Sequence, residues 1–145
     1  AIEAFSKTQD KYGNADCNIE LGHIYFSQLN YQESSKAFQE ALENYKLVED
    51  SWGIASSNLG LAKISKEECN FDSAIRYLED SFTHYTKADD KLGLANTNKC
   101  LGIVNKDMNN IELAVKYLKV AMNLYNEMGE PDQSNRCNAE LKSMV

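Results

Sequence analysis

Residues Ser51–Tyr85 read SWGIASSNLGLAKISKEECNFDSAIRYLEDSFTHY, and the rest of the chain restates them. Gly53 has counterparts at Gly13 and Gly93, and Ala55 at Ala15 and Ala95. Leu61 recurs as Leu21, Leu101 and Leu141, and Tyr85 as Phe5, Tyr45 and Tyr125. A fourth series runs Asn18, Asn58, Asn98, Asn138. Each series steps by 40 residues. Self-similarity at a period of ~20–50 residues marks a stacked array of supersecondary units, each burying its apolar face on the next. The beat predicts that Leu21, Leu61 and Leu101 share one environment.

Within one period the pattern is a pair of helices. Ser34, Phe38, Ala41, Leu42 and Tyr45 follow the i, i+3, i+4, i+7 spacing of an amphipathic helix. The spacing predicts first helices over about 14–29, 52–68 and 92–107, and second helices over about 32–48, 72–87 and 112–127. Asn30, Asn70 and Asn110 hold the turn slot, where asparagine is expected to take the left-handed conformation that ends a helix. Ala74 and Ala114, with Ser34 in the first unit, are expected to be small because paired helices cross there. Ala1, Ile2 and Phe5 align with Ala41, Leu42 and Tyr45, so residues 1 to about 11 read as the last turns of a helix whose partner lies upstream. Gly129 and Pro131 give a stop and a restart, and a final helix covers about 131–144 as an end cap or a further half-unit. The chain thus reads as a single domain, 1–145, with units 14–50, 51–90 and 91–130 and half-units at both ends, and as a piece of a longer protein.

Bulk properties narrow the function. A chain of 145 residues with 43% hydrophobic and 26% charged residues is an ordinary soluble helical domain. Its formal charge of −7 disfavours both the phosphate grip of a nucleic-acid binder and attraction to an anionic membrane. No apolar run reaches the ~20 residues of a membrane span. Cys17, Cys69, Cys100 and Cys137 show no metal-ligand spacing and read as reduced structural thiols, with a cytoplasmic setting expected. His23 and His84 stand outside any catalytic motif, and no glycine-rich phosphate loop is present. No enzyme activity, metal or cofactor is expected.

The helix–turn–helix plan resembles the tetratricopeptide repeat across nearly the whole chain. In the second unit Leu61-Ala62, Phe71, Ala74, Leu78, Ser81 and Phe82 stand at the family's signature positions; in the third they are Leu101-Gly102, Ile111, Ala114, Leu118, Ala121 and Met122. The family unit is commonly ~34 residues. The longer period here is similar to that of Pins/LGN-type adaptors and Rap/PlcR-type peptide receptors. The resemblance implies an all-α, right-handed solenoid of antiparallel helix pairs whose first helices line a concave groove.

Laying the first helices out at ~100° per residue directs Ile19, His23, Phe26, Leu59, Lys63, Lys66, Lys99, Lys106 and Arg136 to that groove. It is expected to be apolar at its N-terminal end, through Ile19, Phe26 and Leu59, and basic at the other. Clustered cations in a concavity concentrate and orient anionic ligands. The expected partner is therefore a protein or peptide segment carrying acidic residues beside hydrophobic ones. A solvated face paired with neighbouring carboxylates is the plain alternative. Ile19 and His23 stand where chaperone-binding members of the family carry Lys and Asn, so an EEVD-type C-terminus is not expected. Asn18, Asn58, Asn98 and Asn138 form a possible amide ladder for a peptide backbone, or else lie on the packed flank and bond to each other or to backbone. Trp52 reads as packing at a repeat junction. Function thus reads as a non-catalytic interaction scaffold. The alternatives are a self-association module and homo-oligomer, using exposed Ile19 and Phe26 or the open ends of the stack, or the peptide-sensing domain of a larger receptor.

Overall fold

The computed structural model describes residues 2–144, with side chains from Lys7 onward. Seven helices follow one another: α1 (Ile2–Ser27), α2 (Tyr31–Leu47), α3 (Ser51–Glu67), α4 (Phe71–Ala88), α5 (Lys91–Asp107), α6 (Ile111–Glu127) and α7 (Pro131–Lys142). Among the described residues there is no strand, and no helix is long and apolar enough to cross a membrane. The architecture is an all-α helical-repeat solenoid. Each helix packs on the next, and α1, α3 and α5 also pack on one another in sequence. The second helices, α2, α4 and α6, make no comparable contact, so they splay on the outer side while the first helices form the inner layer.

Six joints turn the chain, all by one device. One or two residues past each helix end a residue is left-handed: Leu29, Glu49, Cys69, Asp89, Asn109 and Gly129, with φ between 53° and 71°. The N–H of the following residue reaches back five positions, as Asn30 to the Tyr25 carbonyl (2.9 Å), Asn70 to Ser65 (2.8 Å) and Asn110 to Asn105 (2.8 Å). This is the Schellman closure, which satisfies two orphan carbonyls at a helix end. The expectation that Asn30, Asn70 and Asn110 would be the left-handed residues is corrected: their φ lies near −90°. They serve as both the closing donor and the N-cap of the next helix.

Buried side chains run as a strip between the layers. Phe38, Leu78 and Leu118 hold the same place in successive second helices and are 0–1% exposed. Burying such a side chain stabilises by roughly 1.5–3 kcal/mol. Ser34, Ala74 and Ala114 are fully buried where the hairpins cross, and Ser34 Oγ donates to the Gly22 carbonyl at 2.7 Å. The aromatic rings interleave between consecutive first helices. A Cβ on Gly22 or on Gly60 would come within 2.7 or 2.6 Å of the Phe38 ring, so one ring fills the space between α1 and α3.

Two departures cluster at the N-terminal end. α1 is continuous through Gly13, where a joint was expected. At Gly53 and Gly93 the tyrosine of the preceding second helix packs against the glycine, whereas nothing lies within 4 Å of a Cβ on Gly13. The alignment of Ala1, Ile2 and Phe5 with Ala41, Leu42 and Tyr45 falls outside the described side chains. Leu61 and Leu101 share an environment at 3% and 5% exposure, but Leu21 is 42% exposed. Leu61 lies in one apolar cluster with Phe38, Ala41 and Tyr45 of α2. No second helix precedes α1 among the described residues, so Leu21 and the neighbouring Ile24 stay open to solvent.

Candidate functional site

The inner layer carries most of the residues assigned to the groove, in a different arrangement from the one expected. Lys63 on α3, Lys99 and Lys106 on α5 and Arg136 on α7 come from three successive first helices. Their clustering shows in the ammonium of Lys99, whose pKa is pushed down first by burial, then by Lys63 and also by Arg136. Lys63, Lys66 and Lys99 all act on the buried Cys100 thiol, although burial dominates and raises its pKa. Cations gathered on an inner surface make a field that attracts carboxylates.

Part of this charge is already engaged. Lys99 Nζ donates to Gln133 Oε1 at 2.9 Å and stands 5.9 Å from the centroid of the Tyr125 ring. Lys106 Nζ pairs with Glu140 at 2.7 Å, and Lys66 lies 3.5 Å from Glu67. Lys99 and Lys106 therefore reach across from α5 to α7 and hold it against the stack. Lys63 and Arg136 make no ion pair among the described residues.

The apolar end of the groove is not where it was expected. Ile19 and Leu59 are only 6% and 7% exposed and belong to the core strip, because the inner helices pack too closely to leave them open. Ile19 is thus removed from the exposed pair assigned to self-association. Phe26 is half-buried against Tyr31, with ring centroids 5.5 Å apart. His23 stays exposed, its ring nearly perpendicular to that of Phe38 with centroids 5.2 Å apart, and burial and Lys63 lower its pKa. Instead a shallow recess of about 350 Å³ opens between Asp16, Ile19, Glu20, Tyr45 and Trp52. The inner face is therefore acidic near α1 and basic toward α7. Trp52, in the first turn of α3, is exposed, and its indole N–H donates to Asp90 Oδ2 at 3.0 Å, tying the starts of α3 and α5.

The amide ladder is also corrected. Asn58 and Asn98 are buried, and each side-chain N–H donates to a carbonyl four residues back in its own helix, Ile54 at 3.1 Å and Leu94 at 2.8 Å. Asn18 is half-buried and Asn138 exposed. The two middle members of the series are thus internal back-bonds, closed to a peptide.

Repeated tyrosines bind the layers. Tyr45 donates to Asp16 and Tyr125 to Asn96, each from a second helix to the first helix of its own unit. Burial raises the pKa of Tyr45 and Tyr125 well above the ordinary phenol value, and pushes that of Tyr85, which bonds with Ser56, up to about 12. None of the described residues gathers three or more His, Cys, Asp or Glu side chains as a metal would need.

A second, wider opening is not anticipated from the sequence. It is a cleft of about 740 Å³ on the outer side, between α4 and α6 and floored by the end of α5. Its signal was legible in the repeat comparison. Ile75, Met108 and Leu113 line it, where the preceding unit has Ser35, Glu68 and Ser73.

Comparison with known proteins accords with the fold. The C-terminal tetratricopeptide-containing domain of a Plasmodium falciparum FK506-binding protein superposes with a TM-score of 0.66 at 20% identity, covering 94% of each chain. That likeness speaks for the helical-repeat fold. No curated protein sequence matches the chain at a significant level. Residues 1–144 match the family described as "Soluble NSF attachment protein, SNAP". On that match over nearly its full length, this helical-repeat chain belongs to the soluble NSF attachment protein family.

Proposed function

We propose that the chain is a non-catalytic adaptor that holds an acidic protein segment against the inner face of the stack. Members of its fold and family bind proteins, and the family name itself describes attachment. The observation that carries the reading is the convergence of Lys63, Lys99 and Arg136 from three helices, near enough that Lys63 and Arg136 add to the burial that depresses the Lys99 pKa. Carboxylates of a partner would meet Lys63 and Arg136 first, with Lys66, Lys99 and Lys106 flanking. His23 and Phe26 extend the surface toward α1, where Asp16 and Glu20 would repel an acidic segment and so fix its direction. A ~40-residue period shared with Pins/LGN-type adaptors and Rap/PlcR-type receptors fits a peptide-holding role.

The test is a titration of a labelled peptide alternating Glu and Leu, at two ionic strengths. The double variant Lys63→Glu, Lys99→Glu should weaken binding about tenfold or more, with a shallower salt dependence. Equal affinity for both proteins would reject the groove. A second reading, self-association, is favoured by the exposure of Leu21 and Ile24 on α1. Light scattering over a concentration series separates the two.

A further inference from the structure

We propose that the outer cleft between α4 and α6 is a second docking site, built for a short amphipathic helix with cationic residues two turns apart. It lies outside the inner groove, so its success or failure is independent of that reading.

The cleft is distinguished from its own repeat. Successive second helices are splayed along the whole stack, so the fold leaves a furrow between each pair. In the furrow between α2 and α4 the positions equivalent to Ile75, Met108 and Leu113 are Ser35, Glu68 and Ser73, as solvent contact requires. Between α4 and α6 they are apolar, and Phe82, Met108 and Leu113 are exposed. Uncovered apolar side chains gathered in one concavity, where an identical backbone elsewhere carries Ser and Glu, mark a surface meant to be covered.

The shape of the cleft selects its occupant. Its lining on α4 runs from Asp72 to Thr83, about 16 Å at ~1.5 Å per residue, or three helical turns. Both walls are helices with their backbone groups already bonded internally, so no edge is offered to an extended strand. An occupant has to satisfy its own backbone, which a helix does, and meet the cleft through side chains spaced i, i+3, i+4, i+7.

Charge then selects the flank. Asp72 and Glu79 stand on the α4 bank seven residues apart, about 10 Å, and neither is ion-paired among the described residues. Arg76 between them also lines the cleft and donates to Ser73 Oγ at 3.3 Å, which leaves the α4 bank with two carboxylates to one cation. With Lys63, Lys66, Lys99, Lys106 and Arg136 on the inner side of a chain of charge −7, the remaining surface is acidic. Lysine or arginine at i and i+7 beside a leucine stripe complements this bank.

The probe is a fluorescein-labelled 15-residue peptide with a leucine stripe and lysines at i and i+7, read by anisotropy. The informative variant is Ile75→Ser, Met108→Glu, Leu113→Ser, which installs chemistry the same fold already carries between α2 and α4. It should weaken binding about tenfold or more. Asp72→Asn, Glu79→Gln should weaken it severalfold and flatten its salt dependence, while Lys63→Glu, Lys99→Glu should leave it unchanged. Equal binding by the triple variant, or by a peptide with its lysines replaced by glutamate, would overturn the proposal. So would a wild-type dimer in light scattering that the triple variant abolishes, because the occupant would then be a second copy.

Discussion

The ring of Tyr45, on α2, packs on the backbone of Gly53, on α3, so closely that a Cβ on the glycine would lie 2.2 Å from Cδ1. The hydroxyl of the same ring bonds Asp16 on α1, so one side chain spans two consecutive first helices. Tyr85 repeats the packing on Gly93, at 2.3 Å for the same construction. Gly53 and Gly93 are thus seats for tyrosines, and Gly13 is not.

That reading gives opposite signs to one substitution at equivalent positions. Alanine favours a helix interior over glycine by up to ~1 kcal/mol. Gly13→Ala, where the Cβ meets nothing within 4 Å, should stabilise by about 0.5–1 kcal/mol. Gly53→Ala has the same propensity gain but displaces Tyr45, and overpacking costs about 1–3 kcal/mol. Because moving the ring also disturbs its bond to Asp16, a net loss of about 1–2 kcal/mol is expected. Urea unfolding monitored by circular dichroism decides it, and two variants of the same sign would refute the assignment.

The joints supply a second prediction. Leu29 is 72% exposed and left-handed at φ 61°, so its side chain contributes little packing and its backbone carries the steric cost of that region. For a non-glycine residue this is roughly 1–2 kcal/mol, partly offset by the entropy glycine loses on folding. Leu29→Gly should stabilise by about 0.5–1 kcal/mol, raising the melting temperature by a few degrees. Glu49→Gly should behave alike. Gly129→Ala, in the opposite sense, should lower it.

A third prediction concerns alkali. Tyr45, Tyr85 and Tyr125 have pKa values raised chiefly by burial, Tyr85 to about 12. The folded chain holds these protons more tightly than the unfolded chain, in which tyrosine titrates near ~10. Their contribution to stability is therefore fully present below pH ~10 and lost as pH rises toward 12 and beyond. Tyrosinate absorbance and helicity followed together should show these three ionising as the helices melt. Tyr85→Phe should move the midpoint upward, and an unmoved midpoint would contradict the linkage.

How much of this was legible depended on whether a position is governed by the repeat or by its edges. Leu61, Leu101, Ala74 and Ala114 are interior to the stack, so periodicity alone placed them in the core. Leu21 obeys the same pattern yet faces solvent, because its environment is set by a neighbour and not by its own sequence. Ile19 and Leu59 fell on the groove side of a helical wheel, but a wheel knows angle and not separation. The close approach of α1, α3 and α5 covers both. Asn58 and Asn98 signalled buried polarity correctly, while the choice between a partner and the carbonyl four residues back needed coordinates. The outer cleft is not marked by the positions that match between repeats. Its evidence lay in the mismatches, Ser35 against Ile75 and Ser73 against Leu113.

The fourth prediction follows from the competition for Lys106. Its ammonium is held by Glu140 at 2.7 Å, with each side chain about a third exposed (30% and 32%). A pair so placed is screened by water and contributes at most about 1 kcal/mol. Glu140→Gln therefore leaves α7 docked, since Lys99 still bonds Gln133 and Cys137 stays buried beneath. The substitution also removes a carboxylate that any acidic partner would have to displace. It should lower stability by less than about 1 kcal/mol and strengthen binding of the Glu/Leu peptide about two- to threefold at low salt. Loss of affinity instead would mean that Lys106 serves only to hold α7, and that the inner face recognises its partner without it.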